Sequence, residues 1–344
     1  MSRRLIVILV ACLAVIAGVV WATLGHGPGG APVGHPGGAL PQPATSTRAT
    51  RIAQLVAMSD RTHKVALIER LTAPPQVVIF GGSRALRFDP AYIERRTGLT
   101  GFNAAVTGAR PEDAWAFLNL LHARFPGARF RFLWIIHADE FDQKPLDLGI
   151  LENPALARYF PPSLIRAQTR WARAHIMFDI MQRGRVFAPD GHVLHDVLDI
   201  RFPQPGADAA GVSDNISRAL LTYATTPRRL FPRSIAYFEC TLALMESFAV
   251  APRVVVTAPV DPRILAATVG HGWGVRHRLL LRFLASLRPR YKFFLADLSR
   301  AAACGCTARD FYDGIHLRPS GTRKIVDTVL RMFPRALLGH GAVQ

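Results

Sequence analysis

Five short apolar runs, at 76–80 (QVVIF), 101–105 (GFNAA), 129–136 (RFRFLWII), 253–258 (RVVVTA) and 291–296 (YKFFLA), constrain what this chain can fold into. Between and around them lie stretches of helical length, at 49–71, 111–125, 234–249, 275–287 and 320–333. Strands that alternate with helices predict an α/β protein, with a mostly parallel central sheet covered by helices on both faces as a three-layer sandwich. Pro111 followed by Glu112 and Asp113 supports the second helix, since proline fits the first helical position and acids suit the positive end of the dipole.

In such sheets, binding and catalytic groups gather at the carboxyl ends of the strands. Ser83, Gly108, the 137–140 segment and the 259–261 segment each follow a strand-like run, so the topology predicts that they share one edge. The first run breaks on Gly81 and Gly82 and delivers Ser83. Near the C-terminus, FYDGIHLRP puts Asp313 three residues before His316, with Gly314 between them and Pro319 after. A serine becomes a nucleophile at neutral pH when a base takes its proton and a third group orients that base. Ser83, His316 and Asp313 supply all three roles, while Ser83 alone reads equally as a helix N-cap after a Gly-Gly turn.

The chain ahead of these runs divides in two. Residues 5–24 are apolar and uncharged and follow Arg3 and Arg4. As a helix they would rise roughly 30 Å, enough to cross a hydrocarbon core. The arginines predict a cytoplasmic tip at 1–4 and a single-pass protein of the cell membrane whose remaining domain lies outside. A cleaved signal peptide is the alternative, although its apolar region typically spans about 7–15 residues. Residues 25–46, rich in Gly, Pro and Ala, read as a flexible linker, and the folded domain is expected over 47–338.

The segment at about 142–233 breaks the strand–helix rhythm. It is rich in Arg, Pro and aromatic residues and reads as an insertion, partly helical, beside the site or docked to a membrane or a partner. The formal charge of +18 is carried mostly by arginine. Nucleic acid is not the expected partner, because the chain lacks zinc-finger spacing, an aromatic RNA-binding signature and a basic heptad helix. An anionic membrane surface or an acidic envelope polymer fits an exported domain better.

Of four cysteines, Cys12 falls in the apolar span, and Cys240, Cys304 and Cys306 would face an oxidising compartment. A one-residue gap makes Cys304 and Cys306 a poor pair for each other, and a bridge from Cys240 to either stays open. His192, His195 and Asp196 resemble a metal cluster in outline but lack a further ligand, so neither metal nor cofactor is expected. His271 and His277 read as surface or packing residues. Arg84 is a candidate contact for an anionic substrate, though the abundance of arginine makes a solvated surface residue the simpler reading.

Four blocks together resemble the SGNH (GDSL-like) hydrolase superfamily, in its membrane-anchored branch associated with polysaccharide or teichoic-acid acylation. They are GGSRAL, FNAAVTGARPED, IIHADEF and DGIHLRP, and the resemblance covers about 75–335. It implies a flavodoxin-like sandwich with Ser83 as nucleophile, Asp313 and His316 as its partners, and an oxyanion hole from the backbone N–H groups of Ser83 and Gly108. The family's oxyanion asparagine would fall on Ala138, so that donor is missing. His137 and Asp139 flank the site as substrate or supporting residues. The implied activity is that of an extracytoplasmic serine esterase or O-acyltransferase on acylated glycan or another cell-envelope polymer, with a multi-spanning membrane acyltransferase as partner. The alternative is a non-catalytic accessory protein that positions such an acyltransferase or a glycan-export system.

Overall fold

The computed structural model describes residues 59–142, 144–173, 185–195, 197–201, 204, 209–225, 229–250 and 253–337. The expected anchor at 5–24, the linker at 25–46 and Cys12 lie outside the described residues. Among the described residues no helix is long and apolar enough to cross a membrane.

Among the described residues there are seven strands: β1 (Val77–Gly81), β2 (Gly101–Asn103), β3 (Arg131–Ile136), β4 (Val186–Phe187), β5 (Val193–His195), β6 (Arg253–Thr257) and β7 (Phe293–Asp297). Five of them form one sheet in the order β2-β1-β3-β6-β7, with every pairing parallel. These are the five runs predicted above, in a doubly wound order.

The principal helices are α1 (Asp60–Arg70), α2 (Pro90–Thr97), α3 (Pro111–Arg124), α4 (Pro162–Arg173), α5 (Ala209–Thr225), α6 (Pro232–Phe248), α7 (Pro262–Thr268), α8 (Trp273–Tyr291) and α9 (Pro319–Met332). All five residues of β1 are buried, as a strand covered on both faces requires. Val78 and Phe80 join one core with Phe132, Trp134, α1, α3, α6 and α8. Val77 and Ile79 join a second core with Leu133, Ile135, Ile93 of α2 and Ile325, Val326 and Val329 of α9. The two-residue period of the strand thus feeds two separate helical layers. Full burial of each such side chain contributes roughly 1.5–3 kcal/mol.

α3 starts as its sequence predicts. Pro111 occupies the first turn, and the Asp113 carboxylate accepts the Arg110 N–H at 2.9 Å. α2 and α7 were not among the predicted helices. Both begin with Pro after an Asp, and α2 ends on Gly98 in the left-handed region, so their signals lie in the caps rather than in apolar periodicity.

Among its described residues the insertion is mostly helical, with α4, α5, short helices at Leu148–Leu151, Pro154–Ala157 and Val197–Arg201, and the antiparallel β4–β5 pair. Leu146, Ile150, Leu156 and Phe160 bury it in the first core and Val193 in the second, and polar clamps add to that packing. Arg61, buried in α1, contacts Asp113 at 2.6 Å and Asp147 at 3.1 Å. Arg110 donates to the Lys144 carbonyl at 2.7 Å, and Arg233 pairs with Glu112 at 2.7 Å. Lys64, with no exposed surface, donates to the Asn103 carbonyl at 2.6 Å and to that of Gly191. Burial pushes its ammonium down to about 7. The Asn103 N–H in turn donates to the Asp190 carbonyl at 2.7 Å, so the β4–β5 turn covers the outer edge of β2. Gly191 is required there: its φ is +86°, and a Cβ would come 2.3 Å from the Asn103 oxygen.

Candidate active site

β1 leaves the sheet through a passage that admits no side chain. A Cβ on Gly81 would come 2.5 Å from the Ile135 carbonyl oxygen, and one on Gly82 would come 2.9 Å from Glu140 Oε1. The chain then turns into a single 3-10 turn, Ser83–Ala85, in which the Ala85 N–H donates to the Gly82 carbonyl at 2.9 Å. Gly82, not Ser83, takes the capping position, which frees the serine side chain from the N-cap role.

Asp313 and His316 sit on a reversed loop closed by the Phe311–Leu317 bridge and by the Tyr312 N–H to the His316 carbonyl at 2.9 Å. Asp313 Oδ1 accepts the N–H groups of Ile315 (3.0 Å) and His316 (2.9 Å), and Oδ2 meets His316 Nδ1 at 2.8 Å. Burial alone would raise this carboxyl. The His316 charge, its hydrogen bond and the two backbone donors outweigh that and hold it well below the usual carboxylate range. Gly314 allows the tight approach, with φ +85° and only 2.7 Å from a would-be Cβ to Ile264 Cδ1. The loop brings His316 Nε2 to 3.0 Å from Ser83 Oγ. Ser83, His316 and Asp313 therefore form one continuous hydrogen-bonded chain.

Gly108 lies in the turn after β2, with φ +60° and open space where a Cβ would stand. The Asp60 carboxylate fixes that turn by accepting the Thr107 N–H at 3.0 Å. Among the described residues, no acceptor takes the N–H of Ser83 or of Gly108. His137 follows β3, with Nδ1 3.4 Å from Asp139 Oδ2 and Nε2 3.4 Å from Glu140 Oε1. Burial, with a further push from Arg84, lowers its imidazole to about 4 against the pull of Asp139, so the ring is neutral at pH 7. Asp139 is held well below the usual range: burial would raise it, but His137, Arg84 and Arg276 prevail. Ala138 has no side-chain donor, and its carbonyl accepts from Arg276 at 3.0 Å.

Several expectations change here. Arg84 is buried, not a solvated surface residue. His277 packs, as expected, with its ring on Trp273, and its Nε2 lies 3.2 Å from Asp297, which also accepts from the Thr257 hydroxyl at 2.6 Å and the Ser299 N–H at 3.2 Å. His271 is exposed. His192 meets Asp190 at 2.7 Å rather than a histidine, near Asp89; Asp196 and the His195 side chain lie outside what is described. Cys304 and Cys306 prove close neighbours, 3.0 Å apart, because Gly305 turns between them in the left-handed region. Cys240 is exposed and unbonded.

Residues that sequence reasoning missed include Asn215 of α5, which donates to the Asp313 carbonyl at 3.1 Å. Asp261, in a segment that promised no chemistry, donates its N–H to the Gly314 carbonyl at 2.8 Å. Buried Glu140 accepts the Gly82 N–H at 3.2 Å, and burial raises its carboxyl well above the usual range despite Arg84. Asn103 clamps the 85–88 turn through three backbone carbonyls. Each of these depends on a tertiary contact and has no local sequence signal.

No family model matches the chain, and no curated protein matches it. Among solved structures, a carbohydrate acetylesterase family member from Sinorhizobium meliloti is similar over 76% of this chain and 99% of that one. The identity is 11% and the TM-score 0.31, a likeness that carries no functional argument.

Proposed function

We propose that this chain is a serine acyl-esterase or O-acyltransferase acting on acylated glycan or a related cell-envelope polymer, held outside the membrane by residues 5–24. The observation that carries this reading is the Ser83–His316–Asp313 chain, at 3.0 and 2.8 Å. His316 accepts the Ser83 proton while Asp313 fixes the imidazole tautomer. Ser83 Oγ attacks the ester carbonyl, and the resulting oxyanion takes the free N–H groups of Ser83 and Gly108. Collapse expels the sugar alkoxide, to which His316 returns the proton, leaving an acyl-serine. His316 then takes a proton from water, or from an acceptor hydroxyl, whose oxygen attacks the acyl group and releases Ser83.

The neutral imidazole of His137, whose Nε2 lies 3.7 Å from where a Cβ on Gly82 would stand, is the group we propose to replace the missing asparagine donor. One such donor is worth about 10²–10³ in rate. The chain's membrane setting also allows an anionic lipid surface and a multi-spanning acyltransferase as partners. Purified protein is expected to hydrolyse p-nitrophenyl acetate, and Ser83→Ala to lower that turnover by about 10⁴–10⁶. Equal rates in both proteins would remove the nucleophile assignment.

Ala138 favours a second reading, a non-catalytic accessory that positions an acyltransferase or export system. It predicts copurification with a multi-spanning membrane protein that survives Ser83→Ala and fails when 142–233 is deleted.

A further inference from the structure

Between β7 and the triad loop the chain carries Cys304, Gly305 and Cys306 in succession. Both cysteines are buried, and neither belongs to the triad or the oxyanion hole. Two residues of extended chain separate Cα atoms by roughly 6.6–7.2 Å, at the limit of about 7 Å beyond which a disulfide cannot close. The backbone avoids that limit here. Gly305 takes the left-handed region, at φ +67° and ψ +19°. Its N–H returns to the Ala302 carbonyl at 3.1 Å, and that of Cys306 to the Ala301 carbonyl at 2.9 Å. The turn sets the two sulfurs 3.0 Å apart. Even carbon atoms rest in contact at roughly 3.5–4.0 Å, so these sulfurs stand closer than unbonded atoms settle.

The same turn is tied to the segment that presents the triad. Cys306 Sγ lies 3.8 Å from the Gly321 carbonyl, in the first turn of α9. Asp310 accepts the Thr307 N–H at 2.8 Å and Lys324 of α9 at 2.7 Å, and its carbonyl takes the Arg318 N–H at 2.8 Å. Phe311 and Leu317 then pair across the loop that holds Asp313 and His316. α9 stands close behind: a Cβ on Gly321 would come 2.8 Å from the Asp310 carbonyl oxygen. The hydrogen bond between the thiols, more than burial, holds Cys304 below the usual thiol range and pushes Cys306 above it, which marks Cys304 as the attacking sulfur.

We propose that Cys304 and Cys306 close a disulfide when the chain meets an oxidant, and that this bridge is a strut behind the triad loop. The oxidant is itself a disulfide, carried by a thiol oxidoreductase or a small molecule. The Cys304 thiolate attacks one sulfur of that disulfide and expels the other as a thiolate, which takes up a proton. The Cys306 thiolate then attacks the Cys304 sulfur of the mixed disulfide, forming the bridge and expelling the remaining thiolate. The pair gives up both thiol protons and an electron pair, and the donor disulfide becomes two thiols. Burial places the exchange during folding and shields the finished bond. A bridge over so short a loop removes little entropy from the unfolded chain, so its effect falls on the local turn. The bridge does not depend on the esterase chemistry; it takes from the proposed function only the exported location that supplies the oxidant.

The full chain is made by cell-free synthesis into nanodiscs with oxidised glutathione present, then denatured, alkylated with iodoacetamide and read by peptide mass analysis. The tryptic peptide 301–309, which holds both cysteines, is expected unalkylated and lighter by a pair of hydrogens than its reduced form, with Cys240 alkylated. Both thiols alkylated, both carrying glutathione, or either one linked to Cys240 would overturn the proposal. The same peptide from protein expressed in cells reads the compartment. A chain that bridges in nanodiscs but leaves cells with both thiols free would count against the exported location alone. Hydrogen exchange reads the strut. Chain made with reductant instead of oxidant is expected to exchange its 311–317 amides about tenfold faster than bridged chain, with the β1 amides alike. The double variant Cys304→Ser with Cys306→Ser is expected to lose that difference between reductant and oxidant. Equal exchange in bridged and reduced wild type, or a difference that persists in the double variant, would remove the strut.

Discussion

Along β1 and β3 the side chains alternate between two apolar cores, so the strand period alone holds the sheet between its helical layers. The segment from about 142 to 233 shares that packing, through Leu146, Ile150, Leu156 and Phe160 in the first core and Val193 in the second, and adds polar clamps to it. These run from Arg61 to Asp147, Arg110 to the Lys144 carbonyl, Glu112 to Arg233 and Lys64 to the Gly191 carbonyl. The triad draws on the sheet layer, from the turn after β1 and the loop before α9, while a cavity beside it takes Asn215 and Arg218 from the insertion. Non-directional apolar burial tolerates change of detail, whereas a clamp of buried charge depends on each partner. The comparison teaches that Ser83, His316 and Asp313 stand on segments held by apolar packing, while α5, which brings Asn215 and Arg218 to the cavity, belongs to a segment that adds buried charge pairs to such packing.

One apolar and one ionic substitution, both in the body, separate the two kinds of attachment. Phe238 of α6 is fully buried, with its ring 4.4 Å from Trp134 and 5.5 Å from Phe141. Phe238→Ala is expected to cost about 3–5 kcal/mol by urea denaturation. Arg61→Ala leaves Asp113 buried and unpaired, at about 3–5 kcal/mol. The difference appears in rescue: replacing Arg61 and Asp113 together by Met and Leu is expected to recover most of the loss. A double variant no better than Arg61→Ala would show that the clamp does not act as a charge pair.

His137 stands where the two regions meet, and its titration gives the next largest effect. Burial and Arg84 hold it at about 4 in the folded state, against 6.5 unfolded. Between those values the unfolded chain binds a proton that the native state refuses, so stability falls as pH drops. It is complete above pH 6.5, and roughly 3 kcal/mol is lost by pH 4. His137→Asn is expected to flatten that part of the pH profile, and an unchanged slope would place its origin elsewhere. The smallest effect is expected at Asn215, which reaches from α5 to the Asp313 carbonyl. Asn215→Ala removes one hydrogen bond and should lower kcat/KM by about threefold to tenfold, with the melting temperature nearly unchanged.

How much was legible follows the same division. All five strands of the parallel sheet coincide with apolar runs, because helices cover both faces of the sheet and bury β1 and β6 along their whole length. Ser83, Asp313 and His316 were visible through the glycines and proline that shape their turns. Arg84 was not, because nothing local distinguishes a buried arginine from the many other arginines in this chain. The pairing of Lys64 with Gly191, 127 residues apart, and of Asn215 with Asp313, 98 apart, likewise leaves no periodic trace. The proximity of Cys304 and Cys306 turned on the left-handed conformation of Gly305, a backbone choice that spacing alone does not reveal.

The central claim is that Ser83 is an activated nucleophile, and reaction with a fluorophosphonate probe tests it without a known substrate. The full chain is expected to be labelled at Ser83, as read by peptide mass analysis, with labelling lost in Ser83→Ala and greatly slowed in His316→Ala. A wild-type protein that stays unlabelled, or that is labelled equally after His316→Ala, would contradict the account.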